Sequence, residues 1–176
     1  DILLNGVDLD TFKVGDGHDY SHQHTILFTG NMDYAPNVDA VQYFAKEMWP
    51  TIAERFPNTR FVIAGQRPVE AVKRLASERI EVTGFVPDLN EMYAEASVVI
   101  APLRFGAGTQ NKVLEAMAMG VPTVCTHIGF EGLQIESGQG VIMAKEKDKF
   151  IAEVTQLLEN EQHRKSVGLK GLDVAR

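Results

Sequence analysis

Cysteine is nearly absent: Cys125 stands alone in 176 residues. No internal disulfide can form, and a reducing compartment fits. No apolar run approaches the ~18 residues that a membrane-spanning helix needs. No basic stretch followed by an apolar core marks a secretory signal. Positive charge is also scarce. Seventeen Lys+Arg against 24 Asp+Glu give a formal net charge of −7 and a sequence pI near 5.2, which argues against a nucleic-acid footprint. Histidines cluster only as His18, His22 and His24, at irregular spacing in a polar stretch without cysteine, so no metal site is expected. Repeats and low-complexity tracts are missing as well. What remains is 44% hydrophobic and 23% charged, the composition of a folded globular protein, and the length suits one domain, residues 1–176. The chain starts at Asp1 and reads as a piece of something longer.

Hydrophobic periodicity alternates along the chain. Thr25–Thr29 is a short apolar run stopped by Gly30, the pattern of a buried strand. Further strands are expected at Phe61–Ala64, Ile80–Thr83, Val98–Ala101, Pro122–Cys125 and Val141–Met143. Between them, Val38, Val41, Phe44, Ala45 and Met48 have helical spacing after a capping Asn37, and Pro50 divides or kinks that helix. Helices are also expected over Val69–Ala76, after a capping Asp88, over Lys112–Met119, over Lys149–Leu158 and from Gln162 towards the end. Continuously apolar strands alternating with helices predict a doubly wound, Rossmann-like α/β domain with a parallel sheet of about six strands. Ligands then sit at the carboxyl ends of the strands, where strand order reverses.

The stretch from Pro102 to Pro122 carries the chemistry. It runs strand, Gly-rich loop, helix. Glycines Gly106 and Gly108 let backbone amides approach a ligand, and the start of the following helix favours an anion. At about 100° per residue, Asn111, Lys112 and Glu115 share one helix face while Val113, Leu114 and Met117 share the other. Arg104 and Lys112 can neutralise a diphosphate. Glu115 can accept hydrogen bonds from vicinal hydroxyls, as an acidic residue does for a ribose in dinucleotide folds. The competing reading makes Lys112 and Glu115 an exposed i, i+3 pair on a surface helix, worth a few tenths of a kcal/mol. Cys125 with His127 could pair as nucleophile and base, but Cys125 lies in an apolar strand run and reads as core.

These residues resemble the C-terminal domain of the group 1, or family 4, glycosyltransferases of GT-B fold. Asn5-Gly6-Val7-Asp8 with Phe12 is similar to the entry into that domain. The block from Gly108 through Glu115 to Gly120 and Pro122 resembles its donor-binding signature. Phe28 to Asn37, and Gly65-Gln66-Arg67-Pro68, resemble a subgroup linked to exopolysaccharide synthesis. The resemblance implies one half of a GT-B enzyme: a domain that binds a nucleotide-diphosphate sugar and transfers the sugar with retention, without a cofactor or bound metal. Glu115 would hold the ribose hydroxyls. Gly108, Thr109, Gln110 and Asn111 would meet the diphosphate and sugar. Val86 would meet the base, and Gly30 would let the first loop approach the donor. Arg104 and Lys112 would stabilise the leaving diphosphate. Ala107 stands where the family carries the first acid of its Glu-x7-Glu pair, and the loop after the first strand lacks the family's Arg and Lys.

By the same resemblance the sugar or lipid-linked acceptor belongs to an N-terminal domain absent from this chain. The fragment alone is then inactive as a hexosyltransferase. The full protein is expected in the cytoplasm, at the inner membrane face where its acceptor is lipid-linked. Two other functions share the residues: a nucleotide-sugar epimerase of the same fold, and a non-enzymatic nucleotide-binding or docking module.

Overall fold

The computed structural model describes residues 7–8, 10–14, 17–21, 24–106 and 110–176. Its elements alternate as the periodicity predicts. They are β1 (Thr25–Thr29), α1 (Ala35–Tyr43), a π-helical turn (Phe44–Met48), α2 (Trp49–Arg55), β2 (Arg60–Ala64), α3 (Glu70–Lys73), β3 (Ile80–Val82) and α4 (Leu89–Glu95). There follow β4 (Val98–Ala101), α5 (Asn111–Ala118), β5 (Thr123–Cys125), α6 (His127–Phe130), β6 (Val141–Met143), α7 (Lys147–Glu159) and α8 (Glu161–Ala175). The strands form one sheet in the order β3-β2-β1-β4-β5-β6, and every pairing is parallel. Strand order reverses between β1 and β4, which places the ligand crevice at the carboxyl ends of these two strands.

The strands are apolar along their whole length because helices cover both faces. Alternate residues feed two cores. Ile26, Phe28, Phe61, Ile63, Val98 and Ile100 meet α1, the π-helical turn, α2 and α7 through Val41, Phe44, Ile52, Phe150 and Leu157. Leu27, Val62 and Val99 meet α4 and α5 through Tyr93, Ala116 and Met119. Two aromatic contacts lock the first core, Phe44 edge-on to Phe61 at 4.7 Å and to Phe150 at 6.4 Å.

The helix expected over Val69–Ala76 shortens to Glu70–Lys73, the short helix His127–Phe130 adds to those expected, and two further differences are instructive. Asn37 does not cap α1. The helix begins three residues earlier, with Pro36 in its first turn and Tyr34 at the cap, because proline's fixed φ and missing N–H suit that position. Asn37 is released for another contact. The break at Pro50 is real, but a π-turn accomplishes it, and α2 restarts with Pro50 in its own first turn. Asp88 does cap α4, accepting from the Asn90 amide at 2.9 Å. Among the described residues no helix is long and apolar enough to cross a membrane.

Candidate functional site

At the switch point lies a cleft of about 300 Å³ lined by Thr29, Gly30 and Asn31 from the end of β1, Tyr34 and Asn37 from the start of α1, Leu89 from α4, and Gln110, Asn111, Lys112 and Glu115 from α5. A second cleft of about 210 Å³ shares Gly30, Asn31 and Leu89 with it and adds Ala64, Gly65, Gln66, Phe85 and Val86. The two form one groove along the carboxyl edge. Its floor depends on two glycines. A Cβ on Gly65 would fall 1.7 Å from the Gly30 carbonyl oxygen, and one on Gly30 would fall 2.7 Å from the Asn37 amide nitrogen. The loops after β1 and β2 can lie against each other only because neither carries a side chain there.

The exposed-pair reading of α5 fails. Lys112 is only 7% exposed. Its ammonium donates to Asn37 Oδ1 at 3.3 Å and to Gln110 Oε1 at 3.1 Å, and it lies 5.0 Å from the centre of the Phe28 ring. Two N–H bonds are thus spoken for, and the third remains for a ligand oxygen. Burial pulls the lysine down to about 8, against a weaker opposing pull from Glu115. Asn37, read from the sequence as a cap, turns out to hold the site together: its amide nitrogen donates to the Asn31 carbonyl at 3.1 Å while its oxygen receives Lys112.

Glu115 lies one turn along α5. Tyr93 donates to its Oε2 at 2.6 Å, and Oε1 has no protein donor among the described residues. Burial raises the carboxyl above its usual range, while the Tyr93 hydrogen bond and the Lys112 charge oppose that rise. The N-terminus of α5 has no side-chain cap; the Val113 N–H donates to the Gln110 carbonyl at 3.0 Å, which leaves the Asn111 and Lys112 amides available to an anion. Asn111, Lys112, Glu115, Gln110 and Gly30 therefore meet in one cleft, and Val86 meets Gly30 in the adjoining one. Gly108, Thr109 and Ala107 lie outside the described residues, as do Asn5, Gly6 and His22.

Arg104 is the site candidate that the structure leaves outside this lining. Its guanidinium forks onto the Asp39 carboxylate at 2.9 and 2.5 Å and stacks 4.4 Å from the Tyr43 ring centre. Its charge and its place in the Gly-rich loop brought it into consideration as a diphosphate partner, and Asp39 on α1 takes up its planar fork instead. Among the described residues no group of three His, Cys, Asp or Glu is arranged to hold a metal ion. Cys125 is fully buried in β5, and burial pushes its thiol up, which fits packing rather than nucleophilic use.

Comparison with known proteins agrees with this architecture. A family model described as glycosyl transferases group 1 matches residues 23–160. An uncharacterised 44.6 kDa protein in the cps region of Klebsiella pneumoniae is 25% identical over 148 residues, which are 79% of this chain and 38% of that protein. The chain thus spans well under half the length of that curated relative. The C-terminal domain of a glycosyl transferase group 1 family protein (LpcC) from Francisella tularensis superposes with a TM-score of 0.77 at 19% identity, covering 96% of each chain. Anabaena HepE, solved in complex with UDP and glucose, superposes at 0.75 with 15% identity, over 97% of this chain and 50% of its own. At these identities the superpositions establish the fold.

Proposed function

Starting from the fact that this chain belongs to the group 1 glycosyl transferases, we propose that it is the donor-binding half of a retaining enzyme that takes a nucleotide-diphosphate sugar. The observation that carries the reading is the pairing, in one cleft, of a desolvated ammonium and a half-sequestered carboxylate 3 residues apart on α5. The diphosphate lies at the start of α5, where the third N–H of Lys112 and the free helix amides meet its oxygens. Oε1 of Glu115 accepts from the ribose hydroxyls. The base lies in the adjoining cleft beside Val86 and Phe85. When the acceptor oxygen bonds to the anomeric carbon, the bond from that carbon to the diphosphate breaks. The leaving group takes the electron pair and, on a phosphate oxygen, the acceptor hydroxyl's proton, while Lys112 with the helix amides stabilises the charge that develops on it. Arg104, already held by Asp39, takes no direct part, and no bound metal is assigned to the step. UDP bound to Anabaena HepE, a protein of the same fold, supports a nucleotide in this groove.

The chain spans 38% of its curated relative. We therefore assign the sugar or lipid-linked acceptor to a domain beyond these residues and expect no sugar transfer from this chain alone. The cps-region relative supports a role in surface polysaccharide synthesis, at the inner membrane face where the acceptor is lipid-linked. Calorimetry against UDP, GDP, ADP and their sugars tests the donor assignment. One nucleotide and its sugar should bind, and Glu115→Gln should abolish the preference for the ribose over the 2′-deoxy form. Absence of binding to every member of the panel would overturn it.

A further inference from the structure

Tyr93 is wholly buried on α4, edge-on to Phe12 at 5.9 Å. In sequence it is one more apolar position of a short helix. Its hydroxyl, however, sits between side chains from two other elements: Thr29 Oγ1 at the end of β1, 3.0 Å away, and Glu115 Oε2 on α5, 2.6 Å away. A phenol has one proton to give. An ionised carboxylate cannot donate, so Tyr93 gives its proton to Glu115 and accepts that of Thr29. The three groups form a one-way relay, Thr29 to Tyr93 to Glu115, ending in the cleft. Phenylalanine would fill the same volume. The hydroxyl adds what a phenyl ring lacks: a bridge from Thr29 to the carboxylate.

We propose that Tyr93 is a positioning residue that fixes the rotation of the Glu115 carboxylate and so sets the enzyme's preference for a ribose over a deoxyribose donor. The inference rests on the reading of Glu115 as the ribose acceptor. With Oε2 tied to Tyr93, the carboxylate cannot turn about its terminal bond, and Oε1 is presented to the cleft in one orientation. Freed from that tie, the carboxylate can rotate or collect a proton, and a hydroxyl entering the cleft gains less. Among the described residues the groups facing Glu115 are few. Lys112 stands on its own helix, Tyr93 comes from α4, Tyr34 lines the same cleft from the β1–α1 connection, and β1 contributes only the non-titrating Thr29. Tyr93 and Lys112 both favour the ionised carboxylate against its burial. Removing the phenol therefore also makes the carboxyl easier to protonate.

The test is calorimetric titration of the chain with UDP, GDP and ADP and their 2′- and 3′-deoxy counterparts, across pH, on wild type and on Tyr93→Phe, Thr29→Val and Glu115→Gln. Wild type should prefer the ribose form of its nucleotide by about tenfold or more, the worth of a hydrogen bond to a charged group. Tyr93→Phe should lose most of that preference, and the acid limb of its binding should move to higher pH. Thr29→Val, which touches no ligand hydroxyl in this reading, should shift the preference in the same direction by less. A Tyr93→Phe protein that melts as wild type does, and keeps both the ribose preference and the acid limb, overturns the inference. Should Tyr93→Phe fail to fold, an undiminished preference in Thr29→Val does the same. If Glu115→Gln itself keeps the preference, or wild type binds none of the nucleotides, the donor reading falls and the inference falls with it.

Discussion

At the edge of the sheet where the strands begin, Arg164 is 2% exposed. Its guanidinium donates to the carbonyls of Leu157 and Leu158 at the end of α7, both at 2.9 Å, and to the Tyr20 carbonyl at 3.1 and 2.6 Å. Arg79 does the same for the end of α2, donating to the carbonyls of Ala53, Phe56 and Thr59 while stacking on Trp49. At the opposite edge, Lys112 is 7% exposed, holds two side-chain oxygens and keeps one donor unused. The arginines sit where helix dipoles end in negative partial charge, which favours a cation, and four of Arg164's five N–H bonds have acceptors. The lysine sits at a helix start, where the dipole opposes it, and burial disfavours its charge. One edge therefore uses a buried and a half-buried cation to close the fold. The other keeps a poorly satisfied cation that an anionic ligand would complete.

Removing the closed cation should have the largest effect on stability. Arg164→Met leaves three buried carbonyls without donors. We expect a loss of about 3 kcal/mol, or roughly 6–12 °C in Tm for a chain of this size, measured by urea and thermal denaturation. Nucleotide affinity of the folded fraction should stay at the wild-type value, because Arg164 lies at the other end of the strands. A change in affinity without a change in stability would break the division between the edges.

Lys112→Met should do the reverse. Holding the ammonium in its burial has a net cost of about 3 kcal/mol relative to water, given its fall to about 8. The isosteric apolar chain should leave Tm unchanged or higher. Affinity for the nucleoside diphosphate should drop by about 100-fold, the upper range for a charge-assisted contact. Calorimetry and a melt on the same sample check both. A collapse in Tm would place Lys112 with the structural arginines.

The same lysine gives a pH signature. Its pKa is lowered in the free protein, and a diphosphate favours the protonated form. Binding is therefore strong below about pH 8 and is lost as pH rises through that value. Affinity should fall about tenfold per pH unit above 8 in wild type, as one proton must be taken up, and the Lys112→Met profile should be flat there. A wild-type profile equally flat between pH 7 and 9.5 would sink this.

The contrast between the edges also separates what the sequence made legible from what it did not. Strands such as Val98–Ala101 declare themselves because burial on both faces leaves no polar position to interrupt them. The Asn111, Lys112 and Glu115 face is legible because helical periodicity fixes it once the helix is found. Asn37 was misread since an asparagine at the start of an apolar run has a local use, capping, that competes with its real partner 75 residues away. Tyr93 hides in a hydrophobic pattern that cannot distinguish a phenol from a phenyl. Arg79 and Arg164 look like solvated charges because nothing local reveals that Arg79 closes the end of α2 more than 20 residues upstream or that Arg164 reaches the Tyr20 carbonyl 144 residues away. Side chains whose role is set by long-range partners leave no periodic trace.

Arg104 is the sharpest small test of the comparison, since its loop lies on the donor edge while its bonding resembles that of the structural arginines. Its fork on Asp39 is bidentate, but the side chain is 50% exposed and that of Asp39 is 23% exposed, so solvent screens much of the attraction. The Tyr43 ring adds a stacking contact at 4.4 Å. Arg104→Ala should cost about 0.5–1 kcal/mol of stability, the range for an exposed pair with favourable geometry. Nucleotide affinity should change by less than about threefold, because the guanidinium is engaged by Asp39 and does not line the cleft. Asp39→Asn separates the remaining possibility. If Asp39 merely restrains a cation that would otherwise reach the diphosphate, freeing Arg104 should tighten nucleotide binding, whereas a purely structural pair predicts the same small loss of stability and no gain in affinity. Paired melts and titrations of the two variants decide whether Arg104 belongs to the closed edge in function as well as in bonding.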